Sequence, residues 1–234
     1  MKTIQSTVQT AAMAAAMCLG LSQGLAAACV LSTGESADLA LGQPGLVSGT
    51  ANTGGLSAAS LDVPERLSSD GVHLVVPDAV NNRVLLWNSL PTGTGQGADV
   101  VLGQPGFTTN LANQGGPAAA NTLYEPGAAF VAGGHLFVSD YGNNRVLIWN
   151  SIPTANDTPA DLVLGQTAFS GAAVNAGGLS ASSLYQPGGV KFEAGRLLVA
   201  DAFNHRILIW NSLPTASGQA ADLVLGQSGF TTNN

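Results

Sequence analysis

A seven-residue block occurs four times along this chain at a nearly fixed step, and that periodicity limits the fold more than any other feature. Ala37-Asp38-Leu39-Ala40-Leu41-Gly42-Gln43 reappears, with small changes, over residues 98–104, 160–166 and 221–227. Its aspartates stand at 38, 99, 161 and 222, steps of 61, 62 and 61. A second block keeps the same step: Asp78-Ala79-Val80-Asn81-Asn82-Arg83-Val84-Leu85-Leu86-Trp87-Asn88 returns over 140–150 and 201–211. The three tryptophans, Trp87, Trp149 and Trp210, fill one column of it, and Pro64, Pro126 and Pro187 fill a third repeated column. Repeats of this length are supersecondary units that bury their apolar faces against neighbours of the same kind.

Within each unit the pattern predicts four short strands and no helix. The first is poorly defined, near 65–68, 127–131 and 188–192, and the second covers 74–76, 136–138 and 197–199. The third covers 84–87, 146–149 and 207–210, and the fourth is the Asp-Leu-Val-Leu element. The middle strands are unbroken runs of Val, Ile and Leu, which implies burial on both faces. Asp70-Gly71, Gly133-Gly134 and Ala194-Gly195 mark the first turn of each unit. Four-stranded sheets that each need a neighbour on both sides describe an all-β, β-propeller architecture.

Charged residues make up only 9% of the 234, with 7 Lys+Arg against 14 Asp+Glu, a net charge of −7. So few cations cannot neutralise many phosphates, which argues against a dedicated nucleic-acid binder. Two cysteines cannot build a disulfide framework. Residues 1–28 combine basic Lys2, an apolar stretch over 11–21 and small residues before Cys29, the parts of a cleavable secretory signal. The apolar stretch is well short of the ~20 residues of a spanning helix, so no transmembrane span is expected. Cys29 would become the first mature residue and resembles the lipidated cysteine of a bacterial lipobox. Ala26 departs from that pattern, so a free exported form is the first expectation and lipidation of Cys29 the alternative.

The Val-x-Asp-x-x-Asn-Asn/His-Arg-Val/Ile-Leu-x-Trp-Asn block, which begins at Val76, Val138 and Val199, resembles the NHL repeat. The resemblance runs from Asp38 to Gln227 and implies propeller blades in a ring that is usually six-bladed. On that basis the chain divides into a signal at 1–28 and an N-terminal segment at 29–43 carrying a ring-closing outer strand. Three NHL-type blades follow at 44–104, 105–166 and 167–227, with the start of another repeat at 228–234. The units are longer than those of the family, and three blades do not close a ring. Gly229-Phe230-Thr231-Thr232-Asn233 repeats the 106–110 segment and stops mid-loop, as a longer chain would if cut short. The rival expectation is a half-ring that completes itself by self-association.

Antiparallel connections alternate between the two ends of a blade. The Asp-x-x-Asn-Asn-Arg turn therefore shares a face with the enlarged loops near 44–63, 105–125 and 167–186. Long loops on a rigid frame are where ligands bind. Asn81, Asn82, Asn143, Asn144 and Asn204, with Tyr124 and Tyr185 as an aromatic platform, are candidates for binding sugars or peptides. The pairs Asp78–Arg83, Asp140–Arg145 and Asp201–Arg206 recur without variation and read as structural ion pairs. The three histidines interchange with Asn or Arg in their columns, and no metal-ligand set or cofactor motif is visible. The sequence therefore points to an exported, non-enzymatic scaffold for a protein or glycan ligand. The alternatives are an extracellular lyase or hydrolase whose catalytic blades lie elsewhere, and a structural surface repeat protein.

Overall fold

The computed structural model describes residues 34–234. The signal reading and Cys29 lie outside the described residues. Among those described, no helix is long and apolar enough to cross a membrane.

The first unit contributes β1 (Ser68–Ser69), β2 (Leu74–Asp78), β3 (Arg83–Trp87) and β4 (Val100–Leu102). The second contributes β5 (Pro126–Ala132), β6 (His135–Asp140), β7 (Arg145–Trp149) and β8 (Leu162–Leu164). The third contributes β9 (Pro187–Glu193), β10 (Arg196–Asp201), β11 (Arg206–Trp210) and β12 (Leu223–Leu225). Each set forms one four-stranded antiparallel sheet in chain order. The protein is all-β, and no closed barrel or propeller is present among the described residues.

Local chemistry fixes the turns. Gly133-Gly134 and Ala194-Gly195 join the first two strands of the second and third units, and both residues of each pair have positive φ. Two such residues give the hairpin turn whose twist matches that of its strands. In the first unit Asp70 does this work by accepting from the amides of Val72 at 2.9 Å and His73 at 2.7 Å. The second turn of each unit needs a left-handed residue just before the Arg; Asn82, Asn144 and His205 supply it at φ 52°, 54° and 53°. Asn tolerates that conformation better than most residues.

The expected weakness of the first strand in the first unit has a physical cause. β1 is only two residues long, whereas β5 and β9 each have seven. Pro77 stands in β2 where the other units have Ser139 and Ala200. Its carbonyl accepts from the Glu65 amide at 3.0 Å, so its polar side faces the first strand. With no N–H to return, it breaks that ladder. Arg66 turns instead to the next unit, where its carbonyl accepts from the Ala129 amide at 3.0 Å.

The core is the space between successive sheets. Val75, Val84, Leu86 and Leu102 of the first sheet pack with Leu136, Val138, Leu147 and Trp149 of the second. Phe137, Val146, Ile148 and Leu164, on the other face of the second sheet, pack with Leu197, Val199, Leu208 and Trp210 of the third. Burial on both faces is what the unbroken apolar runs require. The far face of the third sheet is uncovered: Ile207 and Leu225 are 39% and 51% exposed, while their counterparts Val146 and Leu164 are at 0%.

Neighbouring units are also clamped at the edge. Val101 in β4 donates to Asn156 Oδ1 at 3.0 Å and accepts from Asp157 N at 2.9 Å, both on the strand-three-to-four loop of the next unit. Val163 in β8 does the same with Ser217 and Gly218. Ala40, in the leading copy of the seven-residue block, makes the equivalent pair with Thr94 and Gly95. That copy forms no strand, yet it sits on the first sheet as β4 sits on the second. A Cβ at Gly42, Gly103 or Gly165 would come within 2.8 Å of Leu61, Leu123 or Leu184 respectively. Only glycine fits so close an approach, and all three have positive φ besides.

Candidate functional site

The loop face carries one polar hub per unit, and all three hubs have the same wiring. In the second, Asp140 lies at the end of β6 and Arg145 at the start of β7, with a single 3-10 turn (Tyr141–Asn143) between them. Arg145 Nε donates to Asp140 Oδ2 at 2.7 Å, and Asn143 donates to the same oxygen at 2.8 Å. Asp140 Oδ1 accepts from the Tyr124 amide at 2.8 Å. The rest of the guanidinium reaches three loop carbonyls: Ala119 and Thr122 at 2.9 Å each, and Phe169. Arg83 joins Asp78, Ser57, Ser60 and Phe107 in the same way, and Arg206 joins Asp201, Ser180, Ser183 and Phe230. Each arginine therefore ties its own turn to the enlarged loops before and after it.

All six charged side chains of these pairs are fully buried. Burial pushes the Asp78 and Asp140 carboxyls above the usual range, against the opposing pull of the backbone amide, the Asn amide and the guanidinium. Such a pair adds little over a well-packed apolar substitute, but losing one partner strands the other.

The asparagines behave differently from the sequence expectation. Asn81, Asn143 and Asn204 form reciprocal amide pairs with Asn52, Asn113 and Asn175 of the preceding loop, at 2.8–3.1 Å. Asn82 Oδ1 accepts from the Glu125 amide and Asn144 Oδ1 from the Gln186 amide, both at 2.9 Å, which locks each turn to the next unit. These five asparagines are buried, and their amides cannot meet a ligand without releasing a loop. Gln104 and Gln166 complete the wiring, each donating to the carbonyl of the left-handed Asn and to its own loop.

Histidine contributes no cluster. His73 lies 3.0 Å from Asp70, and that carboxyl is held near pKa 2: its slight burial would raise it, but the His73 ring and the turn amides bring it down. His135 packs against Phe137 and Phe192. Among the described residues no group of three or more His, Cys, Asp or Glu is placed to hold a metal ion.

Part of the exposed face is aromatic. Tyr124 is 38% and Phe203 46% exposed, with Tyr141 and Tyr185 half-buried. Phe203 lies between the rings of Tyr185, centroids 5.0 Å apart, and Tyr141, 6.3 Å apart and edge-on. Tyr124 lies against Gly142, where any Cβ would come within 2.6 Å of it. Tyr124 and Tyr185 are the aromatic candidates the sequence offers; Tyr141 and Phe203 join them only in the structure. The available signal was departure from the repeat: the Tyr141 column reads Ala79, Tyr141, Ala202, and the Phe203 column reads Val80, Gly142, Phe203.

No family model matches the chain, and no curated protein matches it. Among solved structures it is similar to the crystal structure of a computationally designed protein, Ika8, with 14% identity and a TM-score of 0.38. That match covers 74% of this chain and 40% of the designed one, so the chain spans less than half of that structure's length. A likeness this distant carries no argument about fold or function.

Proposed function

We propose that this chain is an exported binding scaffold built from NHL-type propeller blades, presenting its loop face to a protein or glycan ligand. One observation carries the reading: the hubs hold that face in every unit, while aromatic side chains stand on it in the second and third units (Tyr124, Tyr141, Tyr185, Phe203) and not at the matching positions of the first (Asp62, Ala79, Val80). A repeated feature answers to the frame, while a departure from the repeat asks for another explanation. The aromatic cluster, with apolar faces and polar tips, is the kind of surface that binding sites use.

The propeller reading is supported by the two sheet-to-sheet interfaces, which use equivalent residues in the same roles. The uncovered face of the third sheet would take a further sheet of the same kind, whether from a longer chain or a second copy. The leader reading places the protein outside the cytoplasm, where such a surface meets ligands.

The test is direct. Purified protein is screened against a glycan array and a peptide library, and each hit is repeated with Tyr185→Ala. A ligand that binds the parent and loses at least ten-fold with the variant supports the reading. Ligands indifferent to the loop-face variant, or no ligand at all, would refute it. Mass spectrometry of the exported chain checks the leader: cleavage before Cys29 agrees with it, and an intact Met1 start contradicts it.

A further inference from the structure

We infer that Tyr141, Phe203 and Tyr185 form a stacking site for the apolar face of a neutral sugar ring. The inference rests on the binding-scaffold reading and names its site and ligand class. Tyr141 comes from the turn of the second unit, Phe203 from the turn of the third, and Tyr185 from the enlarged loop that joins them. The site thus straddles two units, and the arginine hubs hold both sides of it. The turn bearing Phe203 is fixed by Asp201, Asn204 and Arg206, whose mutual bonds are 2.7–2.8 Å. Tyr185 is fixed through its own amide, which donates to Asp201 Oδ1 at 2.7 Å. The rings therefore stand on a preorganised base and need little ordering to bind.

The chemistry on offer selects the ligand. The phenol groups of Tyr141 and Tyr185 form no hydrogen bond within the described protein, so each can donate and accept toward a ligand. Gln186 follows Tyr185; its backbone amide is held by Asn144, while its side-chain amide has no partner among the described residues. Flat rings carry a negative face that attracts the slightly positive C–H face of a sugar. Hydroxyls and a carboxamide at the rim match sugar hydroxyls.

A peptide fits less well. Strand-like peptides are gripped through free backbone N–H and C=O groups, and here the Phe203 amide donates to the Tyr185 carbonyl at 3.3 Å. The Asp201 and Arg206 charges beneath are sealed at 0% exposure, so a charged ligand finds no counter-ion in the hub. In the first unit the corresponding positions are Asp62, Ala79 and Val80. That unit has the same frame without the platform and serves as an internal control.

The experiment is isothermal titration of the whole chain with cellohexaose, maltohexaose and chitohexaose. The expected result is binding of at least one, weakened ten-fold or more by Phe203→Gly, which installs the residue the second unit carries at this position. Tyr185→Phe keeps the ring and removes the hydroxyl, and should weaken binding several-fold. Val80→Ala in the first unit should leave it unchanged, and circular dichroism of each variant should match the parent. Three results overturn the inference. One is binding that ignores Phe203→Gly. Another is no oligosaccharide binding while a library peptide binds and depends on Phe203, in which case the scaffold reading survives. The last is no binding of either class, in which case that reading falls too.

Discussion

Arg145→Ala offers the sharpest measure of what the hubs contribute. The side chain is fully buried and makes a 2.7 Å ion pair with Asp140, while its remaining nitrogens reach the carbonyls of Ala119, Thr122 and Phe169. Removing one partner of a buried ion pair costs about 3–5 kcal/mol, because the other charge stays behind without compensation. Each carbonyl left unpaired adds about 1–3 kcal/mol if water cannot reach it. Both enlarged loops border solvent, so hydration recovers part of that second cost, and about 5 kcal/mol is the expected total. Such a loss is comparable to the whole stability of many domains, about 5–15 kcal/mol. The assay is urea unfolding followed by the fluorescence of the three buried tryptophans. Arg145→Lys keeps the charge but not the fork and should lose roughly half as much. Combining Asp140→Asn with Arg145→Met removes both charges and should be less damaging than Arg145→Ala alone. A single-variant cost below about 1 kcal/mol would refute the hub as a buried, fully bonded unit.

Trp149 is 2% exposed and donates to the Thr158 carbonyl at 3.0 Å, so Trp149→Ala should cost about 3–5 kcal/mol in the same assay. Gly103 and Gly54 have similar positive φ, but only Gly103 lies against a side chain, Leu123. Gly103→Ala should therefore exceed Gly54→Ala by about 1–3 kcal/mol, the usual cost of overpacking; equal losses would show that backbone strain alone is at work. Burial raises the Asp78 and Asp140 carboxyls, so the folded protein takes up protons more readily than the unfolded chain. The contribution of these groups to stability therefore grows as pH falls through the raised pKa toward the ordinary one. Relative to Asp140→Asn, the parent should gain stability as the pH is lowered from neutrality; a relative loss would reverse the assignment.

The middle strands of each sheet were legible in the sequence because each carries its own evidence: a both-faces-buried run, a turn signal and a recurring step. The Asp140–Arg145 pairing was legible for a similar reason, since both residues flank one short turn. The asparagines were not. Asn143 pairs with Asn113, thirty residues earlier; Asn52, Asn113 and Asn175 recur at the repeat step, but nothing local distinguishes a buried amide pair from a solvated one. Gln104 and Gln166 were visible as repeated letters, but their role depends on a carbonyl twenty-two residues away. The first strand of the first unit was uncertain in the sequence, and Pro77 accounts for its shortening. Tyr141 and Phe203 each occur in one unit only, so no recurring column marks them, and their proximity depends on how the two turns are placed in space.

The clamp that each unit places on the outer strand of the one before it sets an order of unravelling. β4 and β8 are each gripped from beyond by a following loop, and among the described residues nothing grips β12. Amide protons of Leu223–Leu225 should then exchange with solvent well before those of Val100–Leu102, and opening should travel inward one sheet at a time. Whatever comes to rest against that last strand would slow the loss of protons throughout the array, including at positions it never touches.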